Sequence, residues 1–238
     1  MFVMKENPEI LNRLKGGLIV SCQALETEPL HSSFIMGRMA YAAMLGGASG
    51  IRANTPEDIL AIREQVNLPI IGLHKRVFPG CEVFITPTME EVDGLAGCGA
   101  DIIAMDATDR PRPDGSSIET FFRKVRARYP ERLFMADISS EEEGLAAEAM
   151  GFDLVGTTMS SYTSYTRGRP LPDFPLIRRL SSALKVPLVA EGGIWTPEEL
   201  RRAFDEGAYC AVVGTAITRP MEITQRFAAA LPSHNRER

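Results

Sequence analysis

Lys75 and Glu191 have opposite acid–base character, and each closes a short apolar run, in PIIGLHK (69–75) and VPLVAEGGI (186–194). A lysine so placed is either a Schiff-base nucleophile or, with its pKa lowered by burial, a base that moves protons. A carboxylate facing it supplies what epimerisation beside a carbonyl requires: one group removes the proton and another helps return it to the other face. Further polar residues end runs of the same kind: Gln23 after GLIVSC, Arg52 in ASGIRAN and Asp137 in RLFMADIS. The last run, AYCAVVGTAI, ends in Gly214 and Thr215, with Arg219 just beyond.

The glycines suggest a second kind of chemistry. EGG (191–193) and VGTA (213–216) match the arrangement in which backbone N–H groups of two Gly-bearing loops and a helix N-terminus hold a phosphate dianion. A Cβ would block such a close backbone approach. On this reading Gly192, Gly193, Gly214 and Thr215 form a phosphate cradle, and Arg219 adds a bidentate contact. Turn glycines and a solvated loop arginine are the plainer alternative.

Holding these groups together takes a repeating scaffold. Apolar runs alternate with helix signals eight times along the chain. TPEDILAIREQV (55–66) and TPEELRRAFDEG (196–207) each offer an N-cap threonine, proline at the first helical position and acids in the first turn. Ser140 caps SEEEGLAAEAMG, and SIETFFRKVRARY ends on basic residues, as the helix dipole favours. Eight strands alternating with eight helices predict a parallel sheet wrapped in helices. A doubly wound sheet is the alternative, but no Gly-x-Gly-x-x-Gly follows the first strand. The pattern therefore favours a single α/β domain over residues 1–238, a (β/α)8 TIM barrel with its core at about 16–231. Such barrels build their active sites at the C-terminal ends of the strands, where all of the residues above fall.

Alternation places Ile19, Ser21 and Gln23 on one face of the first strand, and Ala48, Gly50 and Arg52 on one face of the second. These smaller or more polar sets are predicted to point inward. In the third strand, Lys75 and His74 must point opposite ways, and periodicity does not choose between them.

Composition narrows the partners. The chain has 26 Lys and Arg against 31 Asp and Glu, a formal net charge of −5, which argues against nucleic acid or an anionic membrane as the main partner. No apolar stretch approaches the roughly 18 residues of a membrane helix. Charges run through the N-terminal MFVMKENPEILNRLKGG, so it is not read as a signal peptide. Four scattered cysteines without a C-x-x-C spacing fit reduced thiols in a cytoplasmic protein. His31, His74 and His234 do not pair at ligand spacing, so no metal site is expected. The final PSHNRER reads as a polar tail.

The blocks SCQA, GIRAN, IIGLHKR, FITPTMEEV, DIIAMDAT, MADIS, SYTSYT, VAEGGIWTPEE and VVGTAITRPMEIT occur in that order between about Gly16 and Leu231. Together they resemble the bacterial N-acetylmannosamine-6-phosphate 2-epimerases. The resemblance implies a (β/α)8 barrel converting N-acetylmannosamine 6-phosphate to N-acetylglucosamine 6-phosphate in sialic-acid catabolism, with no metal and no cofactor. It implies that Lys75 is the catalytic lysine that exchanges the C2 proton and that Glu191 is its partner carboxylate. It also implies that Gln23, Arg52, Asp137 and Arg219 hold the sugar, its acetamido group or its phosphate, and that the protein is a homodimer. Ser161 stands where the family pattern has a glycine before the tyrosine of its GYTxYT block, and Thr215 stands where VGGAI is common. The residues alone leave three rivals: another phosphosugar epimerase, such as a pentose-phosphate 3-epimerase relative; a non-catalytic sugar-phosphate sensor on the same barrel; and a Schiff-base aldolase acting through Lys75.

Overall fold

Runs such as Ile102–Asp106 and Leu133–Asp137 are buried along their whole length, which suits a strand covered on both faces. In the computed structural model, which describes residues 8–232, eight such strands close into a parallel barrel in sequence order. They are β1 (Leu18–Cys22), β2 (Gly50–Asn54), β3 (Ile70–Leu73), β4 (Ile102–Asp106), β5 (Leu133–Asp137), β6 (Leu154–Gly156), β7 (Leu188–Glu191) and β8 (Cys210–Val213). The seam pairs Leu18 with Ala211 and Ile19 with Val212.

The crossovers carry α2 (Ser33–Leu45), α3 (Pro56–Arg63), α4 (Met89–Gly97), α5 (Ile118–Arg128), α6 (Glu141–Met150), α7 (Phe174–Ala183) and α8 (Pro197–Asp205). Their starts follow the predicted signals. Thr55 accepts from the Asp58 N–H ahead of Pro56, while Thr196 with Glu199 and Ser140 with Glu143 form reciprocal capping boxes. Ten helices rather than eight occur among the described residues. α1 (Pro8–Leu14) precedes the barrel, and the single turn α9 (Thr215–Thr218) comes between β8 and α10 (Pro220–Ala229).

Alternation divides the apolar residues between two cores. Val20, Cys22, Ile51, Ala53, Ile103 and Met105 pack in the larger cluster under the helices, while Ile19, Ile71, Leu73, Ala104, Met135, Val189 and Val212 fill the barrel. Leu14 of α1, fully buried, joins the inner cluster, with Ile10 and Leu11 packed against it. The barrel is thus closed with apolar side chains on the α1 side, and its polar residues gather at the C-terminal strand ends.

The segment 76–87 after β3 folds back on the strand it leaves. Ile85 bridges antiparallel to Lys75, Arg76 donates its N–H to Phe84 O (2.9 Å), and Thr86 donates its N–H to His74 O (2.8 Å). No helix among the described residues is long and apolar enough to cross a membrane. Residues 1–7 and 233–238, which include His234 and most of the predicted polar tail, lie outside the described residues.

Candidate active site

A cavity of about 570 Å³ opens at the C-terminal ends of the strands, a size that suits a small organic ligand. Gln23, Arg52, Lys75, Glu191, Gly192, Gly193, Gly214, Thr215 and Arg219 all line it. Asp137 sits behind Arg52, fully buried. The facing of the third strand is also resolved: Lys75 shares the cavity side with Leu73, and His74 is not among the lining residues.

Arg52 crosses the barrel mouth to join two other strands. Its Nη2 donates to Asp137 Oδ2 (2.6 Å), and its Nη1 serves both Asp137 Oδ1 (3.0 Å) and Glu191 Oε2 (2.8 Å). Burial works against the Arg52 charge, but Asp137 and Glu191 outweigh it and hold the guanidinium above its ordinary range. Burial likewise pushes the Glu191 carboxyl up; Asp137 adds to the effect, and Arg52 opposes it. Lys75 is lowered to about 8, first by burial and then by the positive charges of Arg52 and Arg219. An acid at the end of β7 and a base just beyond β3 are thereby brought towards neutrality across the barrel from each other.

Local backbone features fix this geometry. Thr157 Oγ1 donates to Glu191 O (2.8 Å) and accepts from Glu191 N–H (3.0 Å), so it clamps the end of β7 from β6. Gly192 and Gly193 have φ of 113° and 71°, where L side chains are strained, and a Cβ on Gly193 would stand 2.5 Å from that of Leu171. Thr218 Oγ1 donates to Ser21 O (2.7 Å) and ties the turn after β8 to β1. Gln23 Nε2 donates to Ser21 Oγ (2.9 Å), while its Oε1 is buried without a hydrogen-bond partner and is available as an acceptor. The Arg219 Nη1 lies 3.1 Å from Glu28 Oε1 and 3.8 Å from Glu222 Oε1.

One residue of the cluster escaped the sequence reading. Thr158, two residues beyond β6, lines the cavity and places Oγ1 2.7 Å from Asp137 Oδ1 and 3.1 Å from Glu191 Oε2. The strand-end rule that picked out Gln23 and Asp137 points equally to the TT after Gly156, but a threonine there does not announce a partner. Asp173 caps α7: its Oδ1 accepts from Leu176 N–H (3.1 Å). Among the described residues, no three His, Cys, Asp or Glu side chains converge as a metal site would require.

Known proteins resemble this chain over nearly its whole length. A family described as "Putative N-acetylmannosamine-6-phosphate epimerase" matches residues 36–233. A protein of Caldanaerobacter subterraneus named "Putative N-acetylmannosamine-6-phosphate 2-epimerase" is 55% identical over 219 residues, 92% of each chain. One of the same name from Enterobacter sp. strain 638 is 54% identical over 231 residues, 96% of this chain and 98% of its own. The solved N-acetylmannosamine-6-phosphate 2-epimerase of Clostridium perfringens superposes with a TM-score of 0.90 at 51% identity, covering 97% of this chain and 100% of that one. A thiamine phosphate pyrophosphorylase from Pyrococcus furiosus, 20% identical with a TM-score of 0.61, shares only the fold. With a cavity built from the ends of its strands and relatives matched over more than nine tenths of its length, the chain belongs to the N-acetylmannosamine-6-phosphate epimerase family.

Proposed function

We propose that this chain is an N-acetylmannosamine-6-phosphate 2-epimerase that acts in amino-sugar breakdown and inverts C2 of the open-chain sugar to give N-acetylglucosamine 6-phosphate. The observation that carries the assignment of roles is the pairing of a lysine lowered to about 8 with a carboxyl raised above its usual range in one cavity. Neutral Lys75 takes the proton from C2, which the C1 aldehyde acidifies. The C–H electron pair moves towards the aldehyde oxygen, and Glu191, carrying a proton, gives it to that oxygen. The enediol then turns its other face to Lys75, whose ammonium returns a proton to C2 while Glu191 takes its own back, so both groups end as they began. No electrons are gained or lost, so the route calls for no redox partner.

Gln23 Oε1 offers an acceptor for the acetamido N–H. The Gly192–Gly193 and Gly214–Thr215 loops and Arg219 form the phosphate cradle, with Arg219 exchanging Glu28 for the dianion. Arg52 and Asp137 hold Glu191 and border the sugar. The whole chain works as one barrel domain. Four free thiols suit the reducing cytoplasm. We assign a homodimer, supported by α10, which buries none of its residues and exposes Met221 and Phe227.

Proton NMR in D2O with N-acetylmannosamine 6-phosphate tests the reading. The expected product is N-acetylglucosamine 6-phosphate deuterated at C2. Lys75→Ala should lower turnover by about 10²–10⁴-fold, the usual worth of one general acid or base. Wild-type turnover in that variant would move the base elsewhere, and no product from the native protein would sink the reading.

A further inference from the structure

We infer that Thr158 is a positioning residue for this reaction, its hydroxyl a rotor that turns one hydrogen between Asp137 and Glu191 as Glu191 gives up and regains its proton. The inference rests on the epimerase reading and deepens it.

The geometry leaves the hydroxyl little else to do. Asp137 and Glu191 share one guanidinium, and Arg52 Nη1 is divided between them at 3.0 and 2.8 Å. Arg52 Nη1 carries two hydrogens, one for each carboxylate, and it gives the same N–H whichever charge Glu191 bears, so a change at Glu191 has to be met by another group. Thr158 Oγ1 lies within hydrogen-bond reach of both, at 2.7 Å from Asp137 Oδ1 and 3.1 Å from Glu191 Oε2. It carries a single hydrogen and can therefore serve only one carboxylate at a time.

When Glu191 is protonated, its O–H donates to Thr158 Oγ1, and the hydroxyl donates on to Asp137. When Glu191 has passed its proton to the sugar oxygen, the hydroxyl turns and donates to Oε2 instead. The hydrogen of Thr158 never leaves its oxygen; only the Glu191 proton is transferred, so the rotor needs no reagent.

The other groups facing Glu191 cannot take this part. Arg52 from β2 donates in either state, Asp137 from β5 only accepts, Lys75 beyond β3 is engaged with C2, and the Cys210 thiol from β8 is held protonated by burial. Room for the rotor is kept by Gly156. A Cβ there would stand 2.2 Å from Met135 Cε and 3.2 Å from Thr158 Oγ1.

The test compares Thr158→Val and Thr158→Ser with wild type, measuring kcat, KM and the pH profile with N-acetylmannosamine 6-phosphate. Valine keeps the shape and removes the hydroxyl; serine keeps the hydroxyl. A hydrogen bond to a charged group is worth roughly 10- to 100-fold. Thr158→Val should therefore lose about that much in kcat, keep KM within about threefold and move the Glu191 limb of the profile. Thr158→Ser should stay within about threefold of wild type. A valine variant with wild-type kcat and profile, a loss confined to KM, or a serine variant as slow as valine would overturn the inference and leave the function standing. Wild-type protein that fails to exchange the C2 proton would overturn both.

Discussion

Two buried arginine–aspartate clusters sit at the same height in this barrel, and they differ in where their partners come from. Asp106 and Asp137 are register partners at the ends of β4 and β5. Asp106 is served from its own loop: by Thr108, through both N–H and O–H, and by Arg110 Nη2 at 2.6 Å. Arg112 completes that cluster by donating to the carbonyls of Thr86, Pro87 and Asp106, with its guanidinium 3.9 Å from the centre of the Phe121 ring. Asp137 instead draws on Arg52 from across the barrel and Thr158 from the next loop. The first cluster directs its Nη donors at the loop that follows β3 and at the end of β4, and is a clamp that holds segment 76–87 beside Lys75. The second divides one guanidinium between two carboxylates at the edge of a cavity, and that deficit is what chemistry can use.

Substitution separates the two most sharply. Arg52→Met strands two carboxylates and should cost about 3–5 kcal/mol of stability. It should also lower turnover at least about 100-fold, since Glu191 loses its anchor. Arg112→Met leaves three carbonyls without this donor and should cost at least about 3 kcal/mol, at about 1–3 kcal/mol for each unsatisfied group. Turnover of the folded fraction should remain within about threefold of wild type. Thermal melts beside steady-state rates check both, and a folded Arg112→Met that had lost its turnover would break the comparison.

A smaller effect sharpens the account of the open cluster. Lys75 acts as a base only when neutral, and its pKa is lowered to about 8. Neutral Lys75 and protonated Glu191 together predict a bell-shaped profile, which rises with pH as the lysine loses its proton and falls as the carboxyl loses its own. A profile already flat from pH 6 would remove Lys75 from the base's role. The smallest effect concerns Ser161, which adopts φ of 70° where the family pattern has glycine. An L residue in that region costs about 1–2 kcal/mol. Ser161→Gly should raise the melting temperature by a few degrees, less what its hydroxyl gains from the Gly168 N–H (3.2 Å).

Much of this was legible in the chain because local rules governed it. Thr55, Ser140 and Thr196 announce helix starts through their own hydroxyls, and the strand-end rule gathers Gln23, Arg52, Lys75, Asp137 and Glu191 without any knowledge of contacts. What periodicity does not carry is who meets whom. Resemblance makes Arg52 a substrate contact, but only closure, which sets β2 opposite β5 and β7, brings its two Nη groups to Asp137 and Glu191. Thr158 depends on the same closure. The burial of Arg110 and Arg112 in DRPRPDG follows from segment 76–87 folding back over them. α1 is too short to stand out by pattern, and its role as a plug lies in one leucine.

The seam between β1 and β8 also has a bearing on synthesis. A nascent chain whose β8 is still inside the ribosome presents bare edges on β1 and β7, and such edges invite pairing with other chains. Arg52, Asp137 and Glu191 have all emerged by then, but an open, curling sheet does not hold them face to face. Competence therefore arrives with the last strand, and a product truncated before it would be a client for chaperones rather than a slower enzyme.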